Sequence, residues 1–250
     1  MDSIKLLFIG NSFAVDTIHY FADVAKSFGV KKIKIWTLYI GGCSINKHYD
    51  NLINDKKDYT CFINEGNGWI EKNGYGIKDS ITSESWDYIA IQHGTNDKSR
   101  YSDINSYANL SNLVNMVKEI ANQNTKIIFN MTWIGEPSFP HEEIIAFNKD
   151  QEKLYDAVYT LTKENIVTMD NIDIVCPTGV AIQNARKVFD KLLTRDGYHL
   201  SLDLGRFIAS LTLYKAITNK NIEKLDYLVE NIDINDKNKI IDVVNYSSFQ

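Results

Sequence analysis

The chain has few cysteines, no long apolar run and no basic excess, and each shortage removes a class of function. Cys43, Cys61 and Cys176 are odd in number, widely spaced and form no C-x-x-C pair, so neither a disulfide framework nor a zinc or other metal site is expected. Cys43 and Cys176 read as buried structural thiols. No apolar stretch approaches the roughly 20 residues that cross a bilayer, so no membrane partner is expected. Met1-Asp2-Ser3 is acidic where a secretory signal is basic, and the run Leu6–Ile9 is too short for a signal core, which makes a cytoplasmic protein the expectation. The 27 Lys and Arg are outnumbered by 32 Asp and Glu, for a net charge of -5, so there is no electrostatic footprint for nucleic acid. Short lysine patches at Lys31, Lys32, Lys34 and at Lys56, Lys57 read as solvated faces. The turn Gly10-Asn11-Ser12-Phe13 lacks both G-x-G-x-x-G and the Walker pattern. There is no repeat and no low-complexity tract.

What remains is a chain of ordinary globular composition, 44% hydrophobic and 24% charged, whose 250 residues suit one domain over 1–250. Strand-like and helix-like segments alternate. Strands are expected at Lys5–Ile9, Lys32–Ile40, Trp86–Gln92, Lys126–Trp133 and Ile172–Cys176, from short apolar or β-branched runs closed by Gly, polar or Pro residues. Helical periodicity marks Thr17–Phe28, Ile104–Ala121, Glu142–Glu164, Val180–Lys191 and Leu202–Asn219. Such alternation implies an α/β fold, a mostly parallel five-stranded sheet with helices on both faces. Residues 59–76, rich in aromatics and glycine, read as an inserted hairpin or ordered loop, and the charged tail 221–250 as a peripheral helical segment. No spacing specifies an oligomer.

In an open parallel sheet, ligands bind beyond the carboxyl ends of the strands, so the residues just after each strand carry the chemistry. After the first come Asn11-Ser12, after the second Gly41-Gly42-Cys43-Ser44, and after the third His93-Gly94-Thr95-Asn96-Asp97; near the end comes Asp196-Gly197-Tyr198-His199. An alcohol is a weak nucleophile without a base. His199 can take the Ser12 proton, and Asp196 can hold the imidazole in the right tautomer. The Ser12 N–H, the Gly42 N–H and the Asn96 side-chain amide would form a three-donor oxyanion hole. Asn11, His93 and Trp133 are candidate pocket residues. Each piece has a plainer reading: Asn-Ser after a strand is commonly a helix cap, Gly-Gly a turn, Asn-Asp an Asx-turn. The four together and in order are harder to explain that way. His141-Glu142-Glu143 looks like metal ligands but reads better as a helix start, and Arg186 and Arg195 as structural ion pairs.

These four blocks resemble those of the SGNH hydrolases, also called the GDSL esterase/lipase superfamily. Gly10-Asn11-Ser12-Phe13 is similar to its first block, Gly42-Cys43-Ser44 to the second, Gly94-Thr95-Asn96-Asp97 to the third and Asp196-Gly197-Tyr198-His199 to the last, over Lys5 to about Asn219. Runs such as Leu193-Thr194-Arg195-Asp196-Gly197-Tyr198-His199 resemble a bacterial branch of largely unknown function. The resemblance implies a flavodoxin-like three-layer α/β/α sandwich, with Ser12 as nucleophile, His199 as base, Asp196 as its orienter and no cofactor. It implies a serine esterase acting on a small-molecule or carbohydrate ester through an acyl-enzyme, O-acetylated sugars included. Alternatives are an acyltransferase, lipase or thioesterase using the same site, or a non-enzymatic nucleotide, flavin or glycan binder. The family's first block usually carries Asp before the Ser; here that residue is Asn11.

Overall fold

The first strand sets the layout. In the computed structural model, which describes residues 2–102 and 107–249, β1 (Ser3–Gly10) is buried on both faces. Ile4, Leu6 and Phe8 face one apolar cluster, Leu7 and Ile9 the other. A strand apolar on both sides belongs inside a parallel sheet covered twice. Helix α1 (Ser12–Ile18) follows at once, then α2 (Phe21–Ser27), β2 (Lys32–Tyr39) and α3 (Ile45–Ile53). Next come β3 (Tyr59–Asn64), β4 (Trp69–Tyr75), α4 (Ile77–Thr82) and β5 (Tyr88–Gln92), whose five residues are all buried. After α5 (Tyr107–Ile120) come β6 (Lys126–Asn130), α6 (Glu142–Ala146), α7 (Gln151–Leu161) and β7 (Ile174–Cys176). The chain closes with α8 (Thr178–Val188), α9 (Leu204–Thr218) and α10 (Lys237–Asn245).

The sheet order is β4-β3-β2-β1-β5-β6-β7. Five strands, β2, β1, β5, β6 and β7, run parallel, and their order doubles back at β1 as in a flavodoxin-like sheet. Helices α1, α2, α8 and α9 cover one face and α3, α4, α5 and α7 the other. The switch point lies between β1 and β5, and the loops after β1, β2 and β5 emerge beside it.

The five-stranded expectation is corrected to seven strands. Residues 59–64 and 69–75 pair as an antiparallel hairpin whose first strand joins β2, from Ile35 opposite Asn64 to Tyr39 opposite Thr60. Tyr59, Cys61 and Ile63 alternate inward along β3, but β4 is an edge strand with most residues exposed and therefore lacks the apolar alternation that would announce it. The single helix expected over Thr17–Phe28 is two helices, and the first begins earlier, at Ser12. The break is chemical. The Ser210 hydroxyl from α9 donates to Thr17 O at 2.7 Å and accepts from Tyr20 N–H at 3.1 Å, taking over backbone groups that a continuous helix would pair internally. The helix expected over Glu142–Glu164 likewise divides, because Asn148 and Lys149 adopt left-handed backbone at φ 55° and 61°. The pattern placed at Ile104–Ala121 is α5 from Tyr107; its first three residues lie outside the described ones. In the tail, Leu225, Val229, Ile240, Ile241 and Val244 are buried, and α10 packs on α8 and α9.

Candidate active site

Ser12 is the first residue of α1, and Asn11 rather than Ser12 is the cap. Asn11 Oδ1 accepts from Phe13 N–H at 3.0 Å, and its carbonyl accepts from Ala14 N–H. That caps the turn without using the Ser12 side chain. Asn11 does more. Its Oδ1 also accepts from Gln92 Nε2 at 3.0 Å, at the end of β5, and its Nδ2 donates to Cys43 O at 3.0 Å, in the loop after β2. One buried amide thus ties together the ends of three neighbouring strands. A carboxylate in its place could not make the bond to Cys43, because an ionised Asp only accepts. The departure from the Asp of the family's first block is therefore matched by its surroundings. It also places Asn11 beneath the site, 3% exposed, rather than on a pocket wall.

The loops after β2 and β5 lean on each other. Asp97 accepts from Gly94 N–H at 2.7 Å within its own loop and from Ile45 N–H at 2.9 Å, the first residue of α3. Asn96 is exposed, and its Nδ2 donates to Gly42 O at 2.8 Å. Gly42 has φ 59°, a left-handed conformation that L side chains rarely adopt, and a Cβ there would stand 3.0 Å from Asn96 Nδ2. Gly94 is required by close approach: a Cβ would lie 2.6 Å from Asn11 Nδ2 and 3.1 Å from Cys43 O. Ser12, Gly42 and Asn96 are in this way brought to one edge of the sheet.

The fourth segment closes from the opposite side. Thr194 and Leu200 pair across a short bridge, and Arg195 N–H donates to His199 O at 2.9 Å, so residues 194–200 form a tight loop. Asp196 Oδ1 accepts from Tyr198 N–H at 3.0 Å and His199 N–H at 2.7 Å, wrapping the loop round its own carboxylate. Asp196 Oδ2 lies 2.7 Å from His199 Nδ1, and His199 Nε2 lies 2.9 Å from Ser12 Oγ. Burial raises the Asp196 carboxyl, but the bonds from the His199 ring, the His199 N–H and the Tyr198 N–H outweigh it and hold it below its ordinary value. An ionised Asp196 can only accept, so Nδ1 carries the proton and Nε2 is left to accept from the Ser12 hydroxyl.

The floor is aromatic. Trp133 stacks on Phe13 with ring centroids 4.2 Å apart and donates its indole N–H to Tyr198 O at 2.8 Å. Trp133 is 1% exposed, so it supports the loop from below. His93 is also buried; it sits edge-on to Phe129, and burial, reinforced by Arg100, lowers its pKa to about 3 and keeps it neutral. The candidate pocket residues Asn11, His93 and Trp133 all lie in the packing under the site. Tyr198 has a clearer place at the surface. Its ring is partly exposed and stacks on Phe139, which stacks in turn on His141, while its hydroxyl bonds the Thr95 hydroxyl. Phe139 and His141 come from the irregular segment after β6, whose residues give no periodic signal in the sequence. His141 caps α6, accepting from Glu143 N–H at 3.4 Å.

Two arginines answer to carboxylates. Arg186 pairs with Glu136 at 3.0 Å, and Glu136 N–H reaches Gly197 O at 2.7 Å. Arg195 pairs with Asp16 at 3.2 Å, and Arg206 joins the same carboxylate at 2.7 Å. Sequence reasoning missed Asp16; an acid in the first helix looks like ordinary surface, and nothing local marks its partners nearly 200 positions away. Among the described residues no group of three or more His, Cys, Asp or Glu could hold a metal, and no helix is long and apolar enough to cross a membrane.

The doubly wound sheet, with Ser12 after its first strand, Gly42 after its second, Asn96 after β5 and an Asp-His pair in the closing loop, is the arrangement that the resemblance to the SGNH hydrolases implies, and its fold is shared with GDSL-like hydrolases of known structure. The chain belongs to the DUF4886 family, described as a domain of unknown function, which matches residues 5–246. It is similar to the crystal structure of a DUF4886 family protein from Bacteroides uniformis, at 31% identity over 97% of this chain and 93% of that one, with a TM-score of 0.89. At fold level it is similar to a GDSL-like lipase from Bacteroides thetaiotaomicron, with 16% identity, 87% and 88% coverage and a TM-score of 0.50. It is also similar to an acetyl xylan esterase from Geobacillus stearothermophilus, with 14% identity, 93% and 100% coverage and a TM-score of 0.50. A comparison with curated proteins finds no match.

Proposed function

We propose that the chain is a serine esterase that cleaves carboxylic esters through an acyl-enzyme, with O-acetylated carbohydrate as its substrate class. The observation that carries this reading is the continuous hydrogen-bonded chain from Asp196 through His199 to Ser12, at 2.7 Å and 2.9 Å. Ser12 Oγ attacks the ester carbonyl carbon as its proton passes to His199 Nε2, and Asp196 stabilises the imidazolium. The Ser12 N–H, the Gly42 N–H and Asn96 Nδ2 receive the oxyanion, each donor being worth about 2.7–4 kcal/mol in the barrier. Asn96 Nδ2 carries two N–H groups, one of them bonded to Gly42 O, and the other serves the oxyanion. Collapse of the intermediate expels the alcohol, which takes the proton from His199. Water, activated by the same imidazole, then releases the acid and regenerates Ser12. Tyr198, edge-on to His199 and stacked on Phe139, leaves part of its ring exposed next to the base, an apolar surface that suits the C–H face of a sugar ring and supports a carbohydrate alcohol.

The test compares wild type and Ser12→Ala on p-nitrophenyl acetate, butyrate and decanoate. Wild type should cleave acetate fastest, and Ser12→Ala should lose more than about 1,000-fold in kcat/KM. Equal rates in the two proteins sink the nucleophile. A preference for decanoate sinks the acetyl assignment and leaves the esterase.

A further inference from the structure

The acid that orients His199 is Asp196, yet a second carboxylate reaches the same loop from the other side. Asp16 stands one helical turn after Ser12 on α1, so the two share a face of one short helix. Its side chain is 1% exposed. Asp16 Oδ2 accepts from Leu200 N–H at 2.9 Å, the peptide N–H bonded directly to the His199 carbonyl carbon. Oδ1 accepts from Arg206 Nε at 2.8 Å, with Arg206 Nη2 at 2.7 Å, and Arg195 Nη1 lies 3.2 Å from Oδ1 and 3.3 Å from Oδ2. Arg195 also donates to Leu200 O, and its own N–H to His199 O at 2.9 Å. The His199 backbone is thus bracketed on both sides by groups referred to the helix that Ser12 begins.

Resting on the reading of Ser12 and His199 given above, we infer that Asp16 is a positioning residue that sets the distance between the His199 imidazole and the Ser12 hydroxyl. A buried carboxylate facing two guanidiniums is a poor choice for stability alone, because desolvating the Asp16 and Arg206 charges offsets much of what the attraction returns, and Arg195 is partly screened by solvent. It is a good choice for register. A carboxylate has fixed acceptor directions, and here they are aimed at the Arg206 fork, the Arg195 guanidinium and one backbone N–H. Apolar packing between α1 and the loop would tolerate a slide; this lattice of bonds does not. A displacement of about 1 Å between reacting groups can cost about 100-fold in rate.

The experiment follows the rate at which a fluorophosphonate phosphonylates Ser12, a reaction that consumes the serine hydroxyl, is accelerated by its base but proceeds slowly without it, and needs no particular acyl group. Wild type, Ser12→Ala, Asp16→Asn, His199→Ala and the Asp16→Asn/His199→Ala pair are compared, with thermal melts of each. Asn retains an acceptor for Leu200 N–H but removes the charge that gathers the arginines. Asp16→Asn should slow labelling by about 100-fold in the presence of His199 and change it by less than about twofold in His199→Ala, because a residue that acts by placing the imidazole has nothing left to place. A general structural role would lower both backgrounds by the same factor, and that result overturns the inference while leaving the esterase reading intact. Wild type that fails to label, or Ser12→Ala that labels as fast, overturns both. Should Asp16→Asn not fold, Asp16→Glu takes its place: it retains the charge, displaced by one methylene, and should slow labelling by about tenfold with His199 present and not at all without it. A wild-type rate in Asp16→Glu overturns the inference.

Discussion

Replacing Asn11 by Asp restores the residue common in the superfamily's first block, and in this chain it should be harmful in a pH-dependent way. The substitution is isosteric. It keeps Oδ1 and its bonds from Phe13 N–H and Gln92 Nε2, both at 3.0 Å, and changes only the atom that donates to Cys43 O at 3.0 Å. An ionised carboxylate there sets acceptor against acceptor. With Asn11 3% and Cys43 4% exposed, bulk water does not replace the lost partner. A buried carbonyl left unpaired costs about 1–3 kcal/mol. Burial also raises the new carboxyl, and a rise of about 2 units adds about 2.7 kcal/mol. The sum is about 4–6 kcal/mol at pH 8. At about 2–4 °C per kcal/mol for a chain of this length, Tm should fall by about 8–24 °C. The folded-state pKa of this carboxyl lies above its unfolded value. Its protonated form therefore supports the fold at low pH, where the O–H can donate to Cys43 O, and that support is lost as the pH rises through the folded value. Calorimetric melts of wild type and Asn11→Asp at pH 5 and pH 8 check this. A Tm unchanged at pH 8, or a deficit that widens on acidification, refutes the account of Asn11 as a donor that three loops depend on.

Other consequences of the same geometry can be measured separately. Gly94→Ala inserts a Cβ 2.6 Å from Asn11 Nδ2 and 3.1 Å from Cys43 O, so the loops must part. A loss of about 1–3 kcal/mol, read as a lower urea midpoint at unchanged m-value, is expected. Asp97 is pushed by burial from its ordinary value of 3.8 to about 6, even though the Gly94 and Ile45 N–H groups pull it down. Its contribution to stability is present in full below about 3.8 and is lost as the pH rises through about 6. The stability gap between wild type and Asp97→Asn should accordingly narrow, by up to about 3 kcal/mol, from pH 4 to pH 7 in urea titrations. A gap that widens over that range would mean that the two N–H bonds dominate.

The parts legible in the sequence are those whose signal is local. The runs beginning at Lys5, Trp86 and Lys126 are apolar because those strands are covered on both faces, the run from Lys32 alternates with lysine where one face is open, and alternation with helices makes the sheet parallel. The loops carrying Ser12, Gly42, Asn96 and His199 could then be set at one edge without knowing any contact. Illegible were features decided by partners far along the chain. Helix α2 begins at Phe21 because Ser210 interrupts the ladder, and no residue near Tyr20 signals that. Asn11 reads as a helix cap, and its tie to Cys43 depends on which strands are neighbours. Trp133 ends an apolar run on the right edge, which suggests a pocket wall; the stack with Phe13 turns it into a floor. β4 was the least visible strand because an edge strand in water has no apolar face to display.

The bond between Ser12 and His199 joins residues 187 positions apart. At equilibrium so long a closure adds little, since each doubling of a loop costs only about 0.6 kcal/mol. In time it matters more. At the usual pace of synthesis, roughly 10–40 s separate the emergence of the serine from that of the histidine. Throughout that interval the growing chain lacks the imidazole that the proposed mechanism pairs with the Ser12 hydroxyl, and no fragment ending before residue 199 can carry both. On the proposed mechanism, the reactivity of Ser12 is thereby withheld until the loop that carries His199 has been made and has closed, so that covalent capture of this one side chain reports that closure.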